Sequence, residues 1–481
     1  MVKKERDDMM MEGIQIIDIP VHWVNEGEKR LDAGFYAQDV ITARILIDKI
    51  SSSGISIERV EDLAKDIFHR TRFKRKYVSK KEGLPFLTPT DVFMFPLRPR
   101  KFVKDPPDGL RVSKDWILIT CSGTVGRTII CNSEIAKCIL SHDIIRVIPK
   151  TKEHLGFLYA YLNTWIGQAF LTKDQYGATV KHIEPHHVAN IPIPRIPDLE
   201  EEINQKILQA HKLREEAQEL LLKAEEMIYS ELGLQKIDED YVEYFGGEIG
   251  RLVKAFEVKA SELDYRLDAS YHVPILRKIK KYLSSSKYRL TKLGEVIDRI
   301  FIPTRFKRTY VKNPDDGVPF LQGTHIPMIK PMDVKYIWKE MKNIEKILLK
   351  KYWVLMTRSG TVGRIGFVSD FLDGWAASEH ILRIVLKNGI NPGYIVAFLS
   401  SPYGEYQIKG RVYGAVVDEI AEQDTSLIED IDIILPGGDE QDKIGSLIIE
   451  AYNKKDKANQ IELEAIKLLE RKLEGFAGVR K

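Results

Sequence analysis

Cys121-Ser-Gly-Thr-Val-Gly-Arg127 occurs a second time, as Arg358-Ser-Gly-Thr-Val-Gly-Arg364, in a chain of 481 residues. The two stretches differ only at their first residue, and their starts are 237 residues apart. The flanks repeat as well. Thr71-Arg-Phe-Lys-Arg75 returns as Thr304-Arg-Phe-Lys-Arg308, and Gly83-Leu-Pro-Phe-Leu87 as Gly317-Val-Pro-Phe-Leu321. Downstream, His142-Asp-Ile-Ile-Arg-Val147 returns as Glu379-His-Ile-Leu-Arg-Ile384, and Tyr176-Gly-Ala-Thr-Val180 as Tyr413-Gly-Ala-Val-Val417. Even Arg30-Leu-Asp-Ala33 has its partner in Arg266-Leu-Asp-Ala269. The offset drifts only from 233 to 241 residues, which a few loop insertions explain. The chain is two copies of one module of roughly 240 residues, and a repeat on that scale sets the architecture before any local reading.

Bulk composition narrows the class. Hydrophobic residues make up 44% and charged residues 30%, the balance of a globular protein. The net charge of +3 argues for no partner by itself, so the distribution of charge has to be read instead. No apolar run approaches the ~18 residues of a membrane span. Met1-Val-Lys-Lys-Glu-Arg-Asp-Asp8 lacks the apolar core of a secretory signal, so a cytoplasmic location is expected. Cys121, Cys131 and Cys138 lie in the first copy only and show no metal-ligand spacing; they read as buried free thiols.

Residues 30–68 carry helical periodicity through Val40, Ile41, Ala43, Leu46, Ile47 and Ile50 up to the break at Ser51-Ser-Ser-Gly54. Residues 84–150 read as short strands, among them Trp116-Ile-Leu-Ile-Thr120, Thr128-Ile-Ile130 and Ile144-Ile-Arg-Val-Ile148. Gly123 and Gly126 fall between two of these strands, where a tight turn requires positive φ. Residues 155–171 read as one helix. Ile191-Pro-Ile-Pro-Arg-Ile-Pro197 is expected to end the globular unit, because proline can continue neither a ladder nor a helix.

The next stretch differs in kind. Ile203, Ile207, Ala210, Ala217, Leu221, Ala224 and Ile228 keep heptad spacing, with Arg214 filling the one gap. The second copy repeats this seam at Ile444, Ile448, Ala451, Ala458, Ala465 and Leu469, each 241 residues later. There Lys455 stands in the gap and Glu462 replaces Leu221. Small residues one heptad apart let two helix backbones come close, so the seams predict an antiparallel two-helix coil. The bland alternative packs each helix on its own module.

The chain therefore divides into a first module at 1–198, a long helix at 199–233 and a linker at 234–262. A second module at 263–437 and a second long helix at 438–476 complete it. The expected fold class is α+β, with two tandem modules of mixed β-sheet and helices joined by two long antiparallel coiled-coil helices.

No catalytic constellation stands out. Each SGTVG turn runs into a β-branched stretch, not into the helix that a phosphate-binding loop opens, so the turn reads as a glycine hairpin. Asp105-Pro-Pro-Asp108 lacks the aromatic fourth residue of an adenine methyltransferase tetrad. Asp315, Asp333 and Lys335 have the outline of a magnesium-dependent nuclease site without a counterpart in the first copy; this is the enzymatic alternative. His182, His186 and His187 cluster after the Tyr176 loop, but only His182 aligns near a polar residue of the second copy, so no metal is expected. A scaffold that binds only protein or RNA is a third reading.

Binding is the stronger signal. His69-Arg-Thr-Arg-Phe-Lys-Arg-Lys-Tyr-Val-Ser-Lys-Lys81 contains no acid, and aromatics interleave its cations. It supplies Arg70, Arg72, Lys74, Arg75 and Lys76, and the second copy begins an equivalent stretch with Arg305, Lys307, Arg308 and Lys312. Arg98, Arg100 and Lys101 form another basic patch. Arg127 and Arg364 end the glycine turns, and Lys181 and Arg411 flank the closing loops. Cations grouped with aromatics at matched places are the footprint of a nucleic-acid surface.

The order of these elements is similar to that of the specificity subunit of type I restriction–modification systems, over nearly the whole chain. Arg30-Leu-Asp-Ala33 and Arg266-Leu-Asp-Ala-Ser-Tyr-His272 resemble its entry segments, and the SGTVG turns its recognition-module turn. Tyr176-Gly-Ala-Thr-Val180 with Ile191-Pro-Ile-Pro194 resembles its closing loop and strand. The resemblance implies a non-catalytic subunit that serves defence against foreign DNA. Each module reads one half of a split duplex target, and the helix pair sets their spacing. The helices also carry the docking surface for two methyltransferase subunits, and translocating endonuclease subunits complete the complex. S-adenosylmethionine, ATP and magnesium belong to those partners, and no cofactor is expected in this chain. Asp418 stands where the first copy has Lys181, so the two closing loops are expected to differ toward phosphate.

Overall fold

The computed structural model describes residues 19–26, 29–237, 255–263, 266–360, 362–412, 420 and 425–476. After a short helix at Val21–Glu26, the first module has α1 (Gln38–Ser52), whose apolar face buries Val40, Ala43, Leu46, Ile47 and Ile50. Its strands are β1 (Ile57–Arg59), β2 (Ala64–Phe68), β3 (Tyr77–Val78), β4 (Leu84–Leu87) and β5 (Lys101–Val103), then β6 (Ile117–Thr120), β7 (Thr128–Ile130), β8 (Ile139–Leu140) and β9 (Ile144–Pro149). Helices α2 (Lys152–Asn163) and α3 (Trp165–Lys173), strand β10 (Pro192–Pro194) and the long helix α4 (Pro197–Ser230) complete it. The strands form three sheets, in the orders β2-β9-β6-β7, β3-β5-β4-β8 and β1-β10.

The second module starts with α5 (Pro274–Ser284) and runs through β11 (Arg289–Lys292), β12 (Ile297–Phe301), β13 (Tyr310–Val311), β14 (Gly317–Leu321) and β15 (Lys335–Trp338). Then come β16 (Val354–Thr357), β17 (Ile365–Phe367), β18 (Ala376–Ala377), β19 (Ile381–Leu386), α6 (Pro392–Ser400), α7 (Pro402–Gly410), β20 (Asp432–Leu435) and the long helix α8 (Gly438–Phe476). Its sheet orders are β12-β19-β16-β17, β13-β15-β14-β18 and β11-β20. Strand for strand this is the topology of the first module, so the sequence repeat is a structural repeat.

Two local expectations need correcting. The proline strip does enter a ladder: Pro192–Pro194 pairs antiparallel with Ile57–Arg59. Pro192 and Pro194 lie opposite Arg59 and Ile57, while Ile191 accepts from the Val60 amide and Arg195 donates to Ser56 on either side. In an antiparallel pair only alternate residues exchange hydrogen bonds, and the prolines take the non-bonded places. The single helix read at 155–171 is two helices. Thr164 breaks it, because its Oγ1 accepts from the Gly167 amide and caps α3.

The long helices run antiparallel. Ile203 and Ile207 share a core with Ala465, Leu469 and Leu473, whereas Ala217, Leu221, Ala224 and Ile228 share one with Ile444, Ile448 and Ala451. Ala210 meets Ala458 at the middle. All thirteen seam residues are buried. At ~1.5 Å per residue, the 34 residues of α4 span about 50 Å. Each helix also packs on both modules. The first module rests on the start of α4 and the end of α8, and also reaches the end of α4 through residues such as Phe95, Leu97 and Val112; the second rests on the end of α4 and the start of α8. The coil and the bland alternative are therefore both present in one arrangement. Gly233, at φ +66°, turns the chain out of α4.

The modules also touch each other. The amide of Phe95 donates to Pro327 at 2.7 Å, and that of Ile329 to Phe93 at 2.8 Å, on either side of a Met94–Met328 bridge. Met94 and Met328 are equivalent residues of the two copies, so an approximate two-fold axis passes between them.

Where module meets coil, glycines set the distance. A Cβ on Gly393 would lie 2.2 Å from the Gly445 carbonyl oxygen. Gly393→Ala should therefore force α6 off α8 and destabilise the chain by about 1–3 kcal/mol, the usual cost of overpacking. Urea unfolding at the wild-type midpoint would refute that contact.

Candidate nucleic-acid interface

In the β2-β9-β6-β7 sheet, β2 and β6 run against β9, so three connections emerge at one end of it. They are the basic loop 69–76 after β2, residues 141–143 before β9, and the glycine turn 121–127 between β6 and β7. A fourth segment, 174–187, closes over them. The Gly123 amide donates to the Lys181 carbonyl at 3.0 Å, and the Ile183 amide to Cys121 at 3.0 Å. Glu184 accepts from the Tyr176 hydroxyl and lies 3.0 Å from His69 Nε2, joining the closing segment to the basic loop. Burial would raise the Glu184 carboxyl, but the hydrogen bonds from Tyr176 and His69 hold it below the usual carboxylate range. The turn needs its glycines: Gly123 and Gly126 have φ +75° and +87°, and Gly360 and Gly363 repeat this at +74° and +84°.

The structure sorts the sequence-derived cations into two groups. Arg70, Arg72, Lys74, Lys76, Lys101 and Lys181 are exposed in the first module, as are Arg305, Lys307 and Lys312 in the second. Arg70 stacks 4.7 Å over Phe68 and donates to Gly109, which fixes the base of its loop. Arg75 and Arg308 instead brace the framework. Arg75 lies 5.0 Å over Phe86 and donates to Ser141 Oγ; Arg308 lies 5.3 Å over Phe320 and donates to Glu379 at 2.7 Å.

Four further cations are held by acceptors within the chain. Arg98 donates to Glu225 of α4 at 2.7 Å and to the Ser400 carbonyl of the other module. Arg100 pairs with Glu405 of α7. Arg127 pairs with Asp333 across the two-fold axis, so it ties module to module. Arg411 is buried and donates to the Gln407 carbonyl and to Asp430. Arg364, half-buried, lines the crevice that also holds Arg98, Arg100 and Glu405.

Two arginines that the repeats contain were missed as structural residues. Arg146 and Arg383, at matched places in β9 and β19, are fully buried. Arg146 donates to the carbonyls of Leu140, Ser141 and Ile144, and Arg383 to those of Ala377, Ser378 and Ile381. Burial lowers them to about 10 and about 9, which still leaves both charged at neutral pH beneath the loops. Arginine inside a β-branched run was the available signal. The second copy also places buried Arg358 where the first has Cys121; it donates to Glu379 and to Ile420.

The other chemical readings separate in space. Asp315 lies beside the Gly317–Trp338 end of the β14–β15 ladder and Asp333 beyond its Phe320–Lys335 end, so they form no common carboxylate site. Lys335 stacks 5.1 Å from the Tyr310 ring. The rings of His186 and His187 meet edge to face, with centroids 4.0 Å apart. Among the described residues no cluster of His, Cys, Asp or Glu could hold a metal, and no helix is long and apolar enough to cross a membrane. Cys121, Cys131 and Cys138 are buried and free. The linker from 238 to 254 and the loop carrying Tyr413 to Asp418 lie outside the described residues.

Residues 60–214 match the family model described as the type I restriction modification DNA specificity domain. No curated protein matches the chain. Among solved structures, the type I restriction-modification S subunit from M. genitalium aligns with 88% of this chain and 96% of its own, at 12% identity and a TM-score of 0.35. The HsdS subunit from Thermoanaerobacter tengcongensis aligns over the same shares at 14% identity and a TM-score of 0.27.

Proposed function

We propose that this chain, whose residues 60–214 match the model of the type I restriction modification DNA specificity domain, is a non-catalytic subunit that reads a split duplex target. The observation that carries the reading is the recurrence of one exposed basic loop, 69–76 and 302–309, at the same sheet end of two modules related by a two-fold axis. Phosphate contacts from Arg72, Lys74 and Lys76, and from Arg305 and Lys307, position the modules; other loop residues specify bases. The half-sites differ in sequence, because the loops around each basic stretch differ. Two methyltransferase subunits carrying S-adenosylmethionine, and endonuclease subunits using ATP and magnesium, supply the chemistry.

Replacing Arg72, Lys74 and Lys76 together by alanine tests this. The three are exposed, so the unfolding transition stays put. Binding weakens for every duplex sequence, and the slope of log affinity against log salt flattens by about 0.9 per lost phosphate contact. An unchanged slope in a fluorescence anisotropy titration removes the loop from the interface.

A further inference from the structure

At the sheet end that carries the basic loops, both modules hold one short segment on the same frame. It is Ser141-His-Asp143 between β8 and β9, and Ser378-Glu-His380 between β18 and β19. The Ser141 amide donates to Leu87 and the Ser378 amide to Leu321, both at 3.0 Å. The two serine hydroxyls accept from the Asp143 and His380 amides, both at 3.2 Å. The Asp143 and His380 carbonyls accept from the first residue of each glycine turn, Cys121 and Arg358, both at 3.0 Å. From below, buried Arg146 and Arg383 donate to the Ser141 and Ser378 carbonyls. A backbone fixed at this many points presents its side chains in one geometry.

The side chains on that frame are transposed. An imidazole precedes a carboxylate in the first module and follows one in the second. Either carboxylate faces the framework arginine: Asp143 lies 3.6 Å from Arg75, and Glu379 accepts from Arg308 at 2.7 Å. The exchange thus keeps the bracing and changes what the third residue shows. In the first module that residue is Asp143, whose side chain is 25% exposed; in the second it is His380, 41% exposed. Asp143 accepts from Ser141 Oγ at 2.7 Å and keeps lone pairs for further donors. Glu379 is 3.7 Å from His380 Nε2, beyond hydrogen-bond reach. His142, by contrast, is closed in by Arg75 at 3.3 Å and Asp143 at 3.2 Å.

The stretches that both modules share, Thr-Arg-Phe-Lys-Arg and Ser-Gly-Thr-Val-Gly, cannot separate two half-sites. A shared rigid frame with different side chains can. We propose that Asp143 and His380, at one matched place, are base-reading residues that give the modules different half-site preferences. A carboxylate suits the cytosine amino group, whereas an imidazole N–H suits purine N7 and guanine O6. The inference rests on the proposed function and adds the residues that discriminate.

The test selects duplexes bound by the full chain from a library with both half-sites randomised, and sequences them. Wild-type selection yields cytosine at one position of one half-site and a purine at the matched position of the other. The paired change His142→Glu with Asp143→His gives the first module the second's segment and leaves an acid for Arg75. It should turn that cytosine into a purine, with a change of about tenfold in relative affinity, and leave the other half-site as it was. His380→Gln leaves the Glu379–Arg308 pair intact, so the unfolding transition stays put; it should move the purine preference toward adenine. Unchanged preferences with His380→Gln overturn the proposal even if the paired variant fails to fold. So does an equal loss of affinity for all sequences, which would mark these residues as bracing alone. A wild-type chain that enriches no sequence instead overturns the DNA-specificity reading beneath it.

Discussion

Glu462→Gln should cost about 3–5 kcal/mol of stability, the expected penalty for breaking a buried charge pair from one side. Glu462 sits at the middle of the coil, where its carboxylate meets Arg214 Nη1 at 2.5 Å, the Tyr159 hydroxyl at 3.0 Å and the ammonium of Lys330. These groups come from both long helices and both modules, so one carboxylate joins four parts of the chain. Glutamine keeps the shape but leaves two buried cations without a counter-charge. The same cluster sets an acid limit. Burial alone would raise the Glu462 carboxyl; Arg214 and Lys330 outweigh it and hold the group at about 2, against an ordinary 4.5. A carboxyl whose pKa is lower in the folded state contributes its stability above the unfolded value. That contribution, on the order of 3 kcal/mol, is lost as pH falls from about 4.5 toward 2. Urea unfolding at pH 7 and pH 3 measures it, and Glu462→Gln should flatten the pH dependence. The complementary variant carries Glu462→Leu, Arg214→Met and Lys330→Met. It should unfold at or above the wild-type urea concentration, because a well-packed apolar replacement of a buried ion cluster is often neutral or stabilising. Leu221, the counterpart of Glu462 across the repeat, shows that leucine fits the seam. Wild-type stability for Glu462→Gln would mean that the cluster contributes nothing.

Inserting seven residues into both long helices at the middle of the coil, after Ala210 and after Ala458, should lengthen the preferred spacer of the split target. Seven residues add about 10.5 Å along a helix, roughly three base pairs at 3.4 Å each. A full heptad keeps the seam on one face. An insertion in α4 alone should instead disrupt the fold, because each module is fixed to both helices and the two lengths must match. The paired insertion also separates Arg127 from Asp333 and Phe95 from Pro327, contacts that brace the modules directly. Competition among duplexes whose spacers differ by single base pairs measures the shift. An unchanged spacer preference with the paired insertion would remove the coil as the ruler.

The exposed cations and the structural ones look alike in sequence. Arg72 and Arg98 both sit in basic, aromatic-containing stretches, and only the partner decides between them. Glu225 and the Ser400 carbonyl come from 127 and 302 residues away to take Arg98, whereas Arg72 stays exposed. The sequence likewise marks Arg214 and Glu462 as separate irregularities in two seams. Only antiparallel pairing brings them together.

The sequence alone determined whatever depends on local spacing and recurrence. The repeated SGTVG turn identified two modules, because glycines with positive φ are required wherever that turn is built. Heptad spacing identified the two long helices, and matched alanines identified their close approach. Tertiary structure decided whatever depends on which distant groups meet: the two-fold axis through Met94 and Met328, the capture of Arg98, Arg100, Arg127 and Arg411 by acceptors, and the joint hold of both helices on each module. The physical reason is that an ion pair or a buried contact is set by proximity in space, and proximity between residues hundreds of positions apart leaves no periodic trace in the chain.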